Sequence, residues 1–380
     1  MTHFFSSLCH SRELIDTLTP CSPYYLVAEN LFSKSNKREI FIKKIYSTLP
    51  HLPKRGSVVM APGIATNANL YRVSVNGDCL CLNHNESFAN LLASEGFTVF
   101  LYHPTYTERV YNRYVCRHCK ESRYYQKIYK VPSTLTFTEL ANEELPQLID
   151  FIQDHTGDES LSWIGYSMGG MLIYSYLMSN LNTCVQNVIT IASPITFNQI
   201  FIQIFPFINW ASKALGLEEK TVLGSLAEQL VPITRLIRNL PGWLVRYNAL
   251  SPFLCNPLNI SGTAAKTLLG KIVEPIPSSL ENCFSDFISK GFPSAQNHSF
   301  YYLKEMRRIR ELNKRFLFFY GPYDVLAPPD SVFLAHEIIS PDYPNFIKVP
   351  SAGHVDIIIG KNSREYVWLP IIEWLKDHEI

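Results

Sequence analysis

A chain of 380 residues, 47% hydrophobic and 18% charged, holds enough apolar material for a large core and is longer than one minimal domain needs. Its formal net charge of +1 argues against a general nucleic-acid binder, which depends on an excess of Lys and Arg. Nine scattered cysteines, an odd number, point to free thiols in a reducing compartment instead of a disulfide framework.

Residues 1–20 read as a loosely attached N-terminal arm. His3, His10, Arg12, Glu13 and Asp16 interrupt it, so it lacks the apolar run of a signal peptide. No window holds the ~20 apolar residues of a transmembrane helix. The expected setting is cytoplasmic, at most peripheral at a lipid surface. Tyr24–Phe32 and Glu39–Ser47 are β-rich runs joined by the polar stretch Ser33–Arg38, which predicts a hairpin. Ser57–Ala61 and Phe97–Tyr102 are short apolar strands, and Ser87–Glu95 between them has helical spacing, which predicts a parallel crossover. Leu140, Leu145, Leu148, Ile149 and Ile152 form the stripe of a helix over Thr138–His155. Strands follow at Leu161–Ile164 and Val185–Ala192, with a helix candidate Met171–Leu181 between them. Phe316–Tyr320, Ser331–Ile339, Asn345–Val349 and Trp368–Lys376 continue the chain as strand, helix, strand and helix. This alternation implies an α/β class with a mostly parallel sheet and helices on both faces. Its core comprises residues 21–194 and 316–380. Residues 195–315 break the alternation; Val222, Leu226, Leu230, Ile233, Ile237 and Leu240 recur at helical spacing, with Pro232 splitting the helix. They form a helical cap, or lid, over the carboxyl ends of the strands.

The centre of the chain is Gly165-Tyr166-Ser167-Met168-Gly169, between the apolar strand and helix runs. A strand turning sharply into a helix exposes Oγ of Ser167 as a nucleophile and aims free N–H groups at it. Such a serine needs a base and a group to orient that base. Asp324 follows the strand Phe316–Tyr320, and His354 follows the next strand, in the order Ser, Asp, His of the α/β hydrolases. A structural turn at Ser167, a turn aspartate and a helix-capping histidine are the competing readings. Asp330 and Asp356 are the competitors for the acid role; Asp330, beside Pro329, suits an N-cap, and Asp356 suits a similar job after His354. Two oxyanion N–H donors are expected, from Met168 and from Ile64 in the loop Ala61-Pro62-Gly63-Ile64.

Three segments resemble the α/β-hydrolase superfamily, and within it the acid lipases of gastric and lysosomal type. They are Glu139–Gly157 running into the elbow, Asp324 with its following prolines, and Gly353-His354-Val355-Asp356 through Gly360. The resemblance implies the α/β-hydrolase fold and maps Ser167, Asp324 and His354 onto the family triad. Val58–Leu101 also resembles polyhydroxyalkanoate synthases, whose nucleophile is cysteine; the serine here favours hydrolysis. Pro62-Gly63 stands where the lipases' oxyanion loop has His-Gly.

The expected activity is hydrolysis of carboxylic esters of lipid-like substrates through an acyl-enzyme, with neutral lipid or sterol esters as candidates and no cofactor. Phe201, Phe205, Phe207 and Trp210 are the candidate acyl-pocket or lipid-facing residues, with burial against the core as the alternative. Lipid-droplet or membrane surfaces are the expected partners, and nucleic acid is not. The aromatic and basic stretch around Tyr111, Arg113, Tyr114, Arg117 and Arg123 is read as a surface loop or a rim for anionic lipid. Cys79, Cys81, Cys116 and Cys119 are four thiols whose spacing is unlike common zinc knuckles, which favours free cysteines. An acyltransferase, a thioesterase and a non-catalytic lipid-binding protein on the same fold are the alternatives.

Overall fold

The computed structural model describes residues 26–35, 38–75, 86–107, 135–197, 241–247, 254–274, 276–290, 299–342 and 344–379. Its frame is one eight-stranded sheet in the order β1-β2-β4-β3-β5-β6-β7-β8. The strands are β1 Leu26–Lys34, β2 Glu39–Ser47, β3 Arg55–Ala61, β4 Phe97–His103, β5 Leu161–Tyr166, β6 Val185–Ile191, β7 Arg315–Tyr320 and β8 Phe346–Lys348. β2 pairs antiparallel with both β1 and β4, and every other pairing is parallel. The expected hairpin is therefore present. Ser33 and Lys34, expected in its loop, instead extend β1, opposite Ile40 and Glu39.

Burial on both faces explains the strand sequences. β5 is buried along its whole length, and Val58–Ala61, Val188–Ile191 and Phe316–Phe319 are closed to solvent. A near-continuous apolar run, not an alternating one, is what a sheet covered by helices on both sides requires. The chain passes from β3 outward to β4 and then back across β3 to β5. That reversal makes the carboxyl ends of β3 and β5 the switch point of the sheet, the place where α/β folds put their sites.

The helices start and stop where their capping chemistry dictates. Ser87 caps Phe88–Ser94 by accepting the Asn90 N–H. Thr136 and Glu139 form a reciprocal capping box. The expected helix over Thr138–His155 is present but widened: Leu140–Glu144 is a π-turn, followed by the α-helix Leu145–Thr156. The wide turn carries Glu144 inward, where it accepts hydrogen bonds from the Tyr102 hydroxyl (2.7 Å) and from the Thr105 N–H (2.9 Å). Burial raises the Glu144 carboxyl above the ordinary carboxylate range. The helix after β5 spans Met168–Ser179, three residues earlier than its apolar run Met171–Leu181 suggests, because Gly169 and Gly170 contribute no side chain to a hydrophobic pattern. Asp330 is not an N-cap: the cap of Pro329–Ile339 is Pro328, and Asp330 lies in the first turn, where the helix dipole favours its charge.

Of the stretch between β6 and β7, the helix Ser299–Arg310 packs against Met168–Ser179 and Pro329–Ile339. It thereby takes the position of a crossover helix on the sheet. The arm 1–20 and the stripe Val222–Leu240 lie outside the described residues. Among the described residues, no helix is long and apolar enough to cross a membrane.

Candidate active site

Ser167 sits between β5 and its helix at φ 52°, ψ −116°, a region that L-residues rarely occupy and that costs about 1–3 kcal/mol. Three backbone hydrogen bonds hold it there. Its N–H donates to Ile191 O (2.9 Å), and its carbonyl accepts from Gly170 N (3.0 Å) and Met171 N (3.2 Å). The flanking glycines allow the turn. A Cβ on Gly165 would lie 2.5 Å from the backbone of Gly169 and Gly170, and one on Gly169 would lie 2.3 Å from Ala61 O. Neither neighbour is a side chain able to move aside. Gly169→Ala is therefore expected to lower unfolding free energy by about 3 kcal/mol in urea denaturation. Gly56→Ala, where a Cβ would meet nothing within 4 Å, should stay within about 0.5 kcal/mol of wild type. Equal losses in the two would contradict the steric account.

The loops after β7 and β8 bring Asp324 and His354 to the same spot as Ser167. His354 Nε2 lies 3.0 Å from Ser167 Oγ, and His354 Nδ1 lies 2.8 Å from Asp324 Oδ2. All three side chains are nearly closed to solvent, at 7%, 7% and 3% exposure for Ser167, His354 and Asp324. Asp324 Oδ1 accepts the N–H groups of Leu326 (2.9 Å) and Ala327 (2.8 Å). The carboxylate is thus aimed by its own turn, leaving Oδ2 for the imidazole. An acceptor at Nδ1 fixes the tautomer with the proton on Nδ1 and the lone pair on Nε2, toward Ser167. Tyr166 braces the histidine from below: its hydroxyl donates to His354 O (3.1 Å), and the two rings lie 5.1 Å apart. Burial, with the Asp324 carboxylate nearby, holds the Tyr166 hydroxyl well above its ordinary pKa, so it keeps its proton and remains a donor.

Asp356, a competitor for the acid role in the sequence, instead secures the histidine loop. Its Oδ1 accepts Gly353 N (3.0 Å) and Asn256 N (2.9 Å), and its Oδ2 accepts Asn259 Nδ2 (2.7 Å). Val355 N donates to Leu254 O (2.8 Å), so the segment 254–259 is bound to this loop at several points. Burial pushes the Asp356 carboxyl up to about 6, outweighing the hydrogen bonds that pull it down. A carboxyl that holds its proton more tightly when folded contributes stability that is full below the unfolded value near 3.8 and is lost as pH rises through about 6. Relative to Asp356→Asn, wild type should therefore gain on the order of 2 kcal/mol of unfolding free energy between ~pH 7 and ~pH 4, read from paired urea titrations. A pH-independent difference would refute this.

The loop after β3 closes the other side of Ser167. A Cβ on Gly63 would lie 3.2 Å from Ser167 Cβ, so only glycine allows this approach without a shift. The Gly63 carbonyl accepts from two donors, Thr66 Oγ1 (2.9 Å) and the Tyr106 hydroxyl (3.1 Å), while Tyr71 holds Ala61 O (2.6 Å). Among the described residues, neither the Met168 nor the Ile64 N–H donates to a backbone carbonyl. Tyr71, Tyr106 and Tyr166 carried no signal in the sequence, because their hydroxyls act on carbonyls 10, 43 and 188 residues away.

Phe201, Phe205, Phe207 and Trp210 lie outside the described residues, as do Tyr111, Arg113, Tyr114, Arg117 and Arg123. The same holds for Cys79, Cys81, Cys116 and Cys119. Cys184, Cys255 and Cys283 are free thiols, and burial beside Asp356 pushes the Cys255 thiol up to about 12.

A family model described as the alpha/beta hydrolase fold matches residues 56–213, which run from β3 through the serine turn and past β6. The chain has the α/β-hydrolase fold. Solved structures superpose on this hydrolase-fold chain over nearly its whole length at low identity. A thermophilic esterase from Thermogutta terrifontis shares 12% identity at a TM-score of 0.51, covering 93% of this chain and 99% of its own. A serine hydrolase from Cycloclasticus zankles shares 12% at 0.53, covering 93% and 99%. A monoacylglycerol lipase from Paleococcus ferrophilus shares 16% at 0.51, covering 90% and 100%. No curated protein matches the chain.

Proposed function

We propose that this hydrolase-fold chain is a serine carboxylic-ester hydrolase for esters with apolar acyl chains. The observation that carries the reading is His354 standing between Ser167 Oγ, at 3.0 Å, and Asp324 Oδ2, at 2.8 Å. Within that reading, His354 Nε2 takes the serine proton as Oγ attacks the ester carbonyl, and Asp324 stabilises the imidazolium that forms. The N–H groups of Met168 and Ile64 receive the tetrahedral oxyanion. Collapse of the intermediate expels the alcohol, protonated by His354, and leaves the acyl group on Ser167. Water, deprotonated by His354, then attacks the acyl-enzyme, and the freed carboxylic acid departs as Ser167 regains its proton.

The apolar acyl preference follows from Phe201, Phe205, Phe207 and Trp210 in the segment between β6 and β7. A pocket of such residues gains roughly 0.8 kcal/mol for each methylene it buries. Neutral lipid or sterol esters, met at a lipid surface, are the substrates suggested by the likeness of Glu139–Gly157 and Gly353–Gly360 to acid lipases. A series of p-nitrophenyl esters of increasing acyl length, run on wild type and Ser167→Ala, tests the reading. Turnover that rises with acyl length and vanishes in the variant supports it. Wild type that turns over none of the series, with Ser167 unlabelled by a fluorophosphonate, overturns it.

A further inference from the structure

The oxyanion loop does not stand by itself. Ala65 is held at φ 57°, a left-handed conformation unfavourable for alanine, one residue after Ile64. The restraint comes from a segment some two hundred residues later. Thr66 and Val273 form an antiparallel bridge, with Glu274 N donating to Ala65 O (2.8 Å) and Asn67 N donating to Ile272 O (3.0 Å). The side chains close a second ring around this bridge. Asn67 Nδ2 donates to Glu274 Oε1 (2.6 Å) and to Lys271 O (3.1 Å), while Asn67 Oδ1 accepts Asn69 N (3.1 Å). Asn67 and Glu274 are both buried, so the amide and the carboxylate have each given up water for this contact. Glu274 also acts on Tyr106, the donor to Gly63 O. Burial and then the Glu274 charge raise the Tyr106 hydroxyl well above its ordinary pKa, which keeps that donor protonated.

We propose that Asn67 and Glu274 are positioning residues, which set the Ile64 N–H toward Ser167 by stapling the segment Leu268–Glu274 to the oxyanion loop. Every polar atom of the Asn67 amide is used in this staple, and the loop it restrains contains the strained residue and the glycine that touches Ser167. The segment 268–274 is then a fixed part of the site, whatever the remainder of the stretch between β6 and β7 does. This rests on the ester-hydrolase reading, because the Ile64 N–H matters only where an oxyanion develops.

The test compares Asn67→Asp, Glu274→Gln and Glu274→Ala with wild type, using p-nitrophenyl butyrate and rates normalised by fluorophosphonate titration of active sites. Asn67→Asp sets two carboxylates face to face. Its kcat should fall about thirtyfold or more at ~pH 8, with KM changed by less than about threefold, since losing one oxyanion donor costs about 10²–10³ in kcat. The ratio of its kcat to that of wild type should recover as pH falls, because one shared proton restores a hydrogen bond between the two carboxyls. Glu274→Gln, whose amide oxygen accepts the same bond, should stay within about threefold of wild type, and Glu274→Ala should lose about tenfold or more. A merely structural contact would lower thermal stability without a pH-dependent kcat ratio. If Glu274→Ala does not fold, Asn67→Asp and Glu274→Gln decide the matter. An active wild type whose Asn67→Asp variant keeps kcat within about twofold at every pH overturns the staple alone. A wild type inactive on the ester and unlabelled at Ser167 overturns the reading of the site and the staple with it.

Discussion

Ser167→Ala is expected to lower kcat for p-nitrophenyl esters by about 10⁶-fold, and His354→Ala by a comparable factor. The geometry explains why the two losses should not multiply. Oγ at 3.0 Å from Nε2 is a single proton-transfer unit, and each half is of little use without the other. The double variant Ser167→Ala/His354→Ala should therefore be no slower than either single one, with what remains coming from substrate binding and oxyanion donors. His354→Ala should also abolish fluorophosphonate labelling of Ser167, because the hydroxyl loses its base. Thermal stability should change little in Ser167→Ala, whereas His354→Ala should lower it, because the buried Asp324 Oδ2 and the Tyr166 ring lose their partner. Ser167→Ala retaining more than about 1% of wild-type kcat would sink the assignment.

The second large effect is expected at Asp324→Asn, a change of one atom. Oδ1 is claimed by the N–H groups of Leu326 and Ala327, at 2.9 and 2.8 Å. An asparagine must put its oxygen there, since its amide nitrogen would meet two donors. The amide N–H then points at His354 Nδ1, 2.8 Å away in wild type. That donor forces the imidazole to carry its proton on Nε2, so the lone pair facing Ser167 is lost. A loss of about 10⁴ in kcat follows from the wrong tautomer, with KM nearly unchanged. Asp330→Asn and Asp356→Asn lack this path to the imidazole and should fall far less. If either of them matched the Asp324→Asn loss, the acid would have been misassigned.

The strand runs were legible because a covered parallel sheet demands near-continuous apolar segments, and Val58–Ala61 and Phe316–Phe319 supply them. The serine turn was legible because its glycines answer to local sterics, which a sequence states directly. Asp324 and His354 were legible for a similar reason, as each follows a strand end in a fixed chain order. The N-cap expectation at Asp330 failed because capping needs one backbone conformation, and Pro328 occupies it instead.

Chain order and local sterics were enough, from the residues alone, to select the α/β layout, to single out Ser167 and His354, and to rank Asp324 ahead of Asp330 and Asp356. Only the tertiary structure decided which carboxylate faces the imidazole, that Asp356 anchors the loop instead, and that Asn67 meets Glu274. The sheet order and the separations of 30, 187 and 207 residues between bonded partners account for this. Hydrogen bonds across such distances are set by how loops converge at the switch point, and no periodicity in the sequence records them.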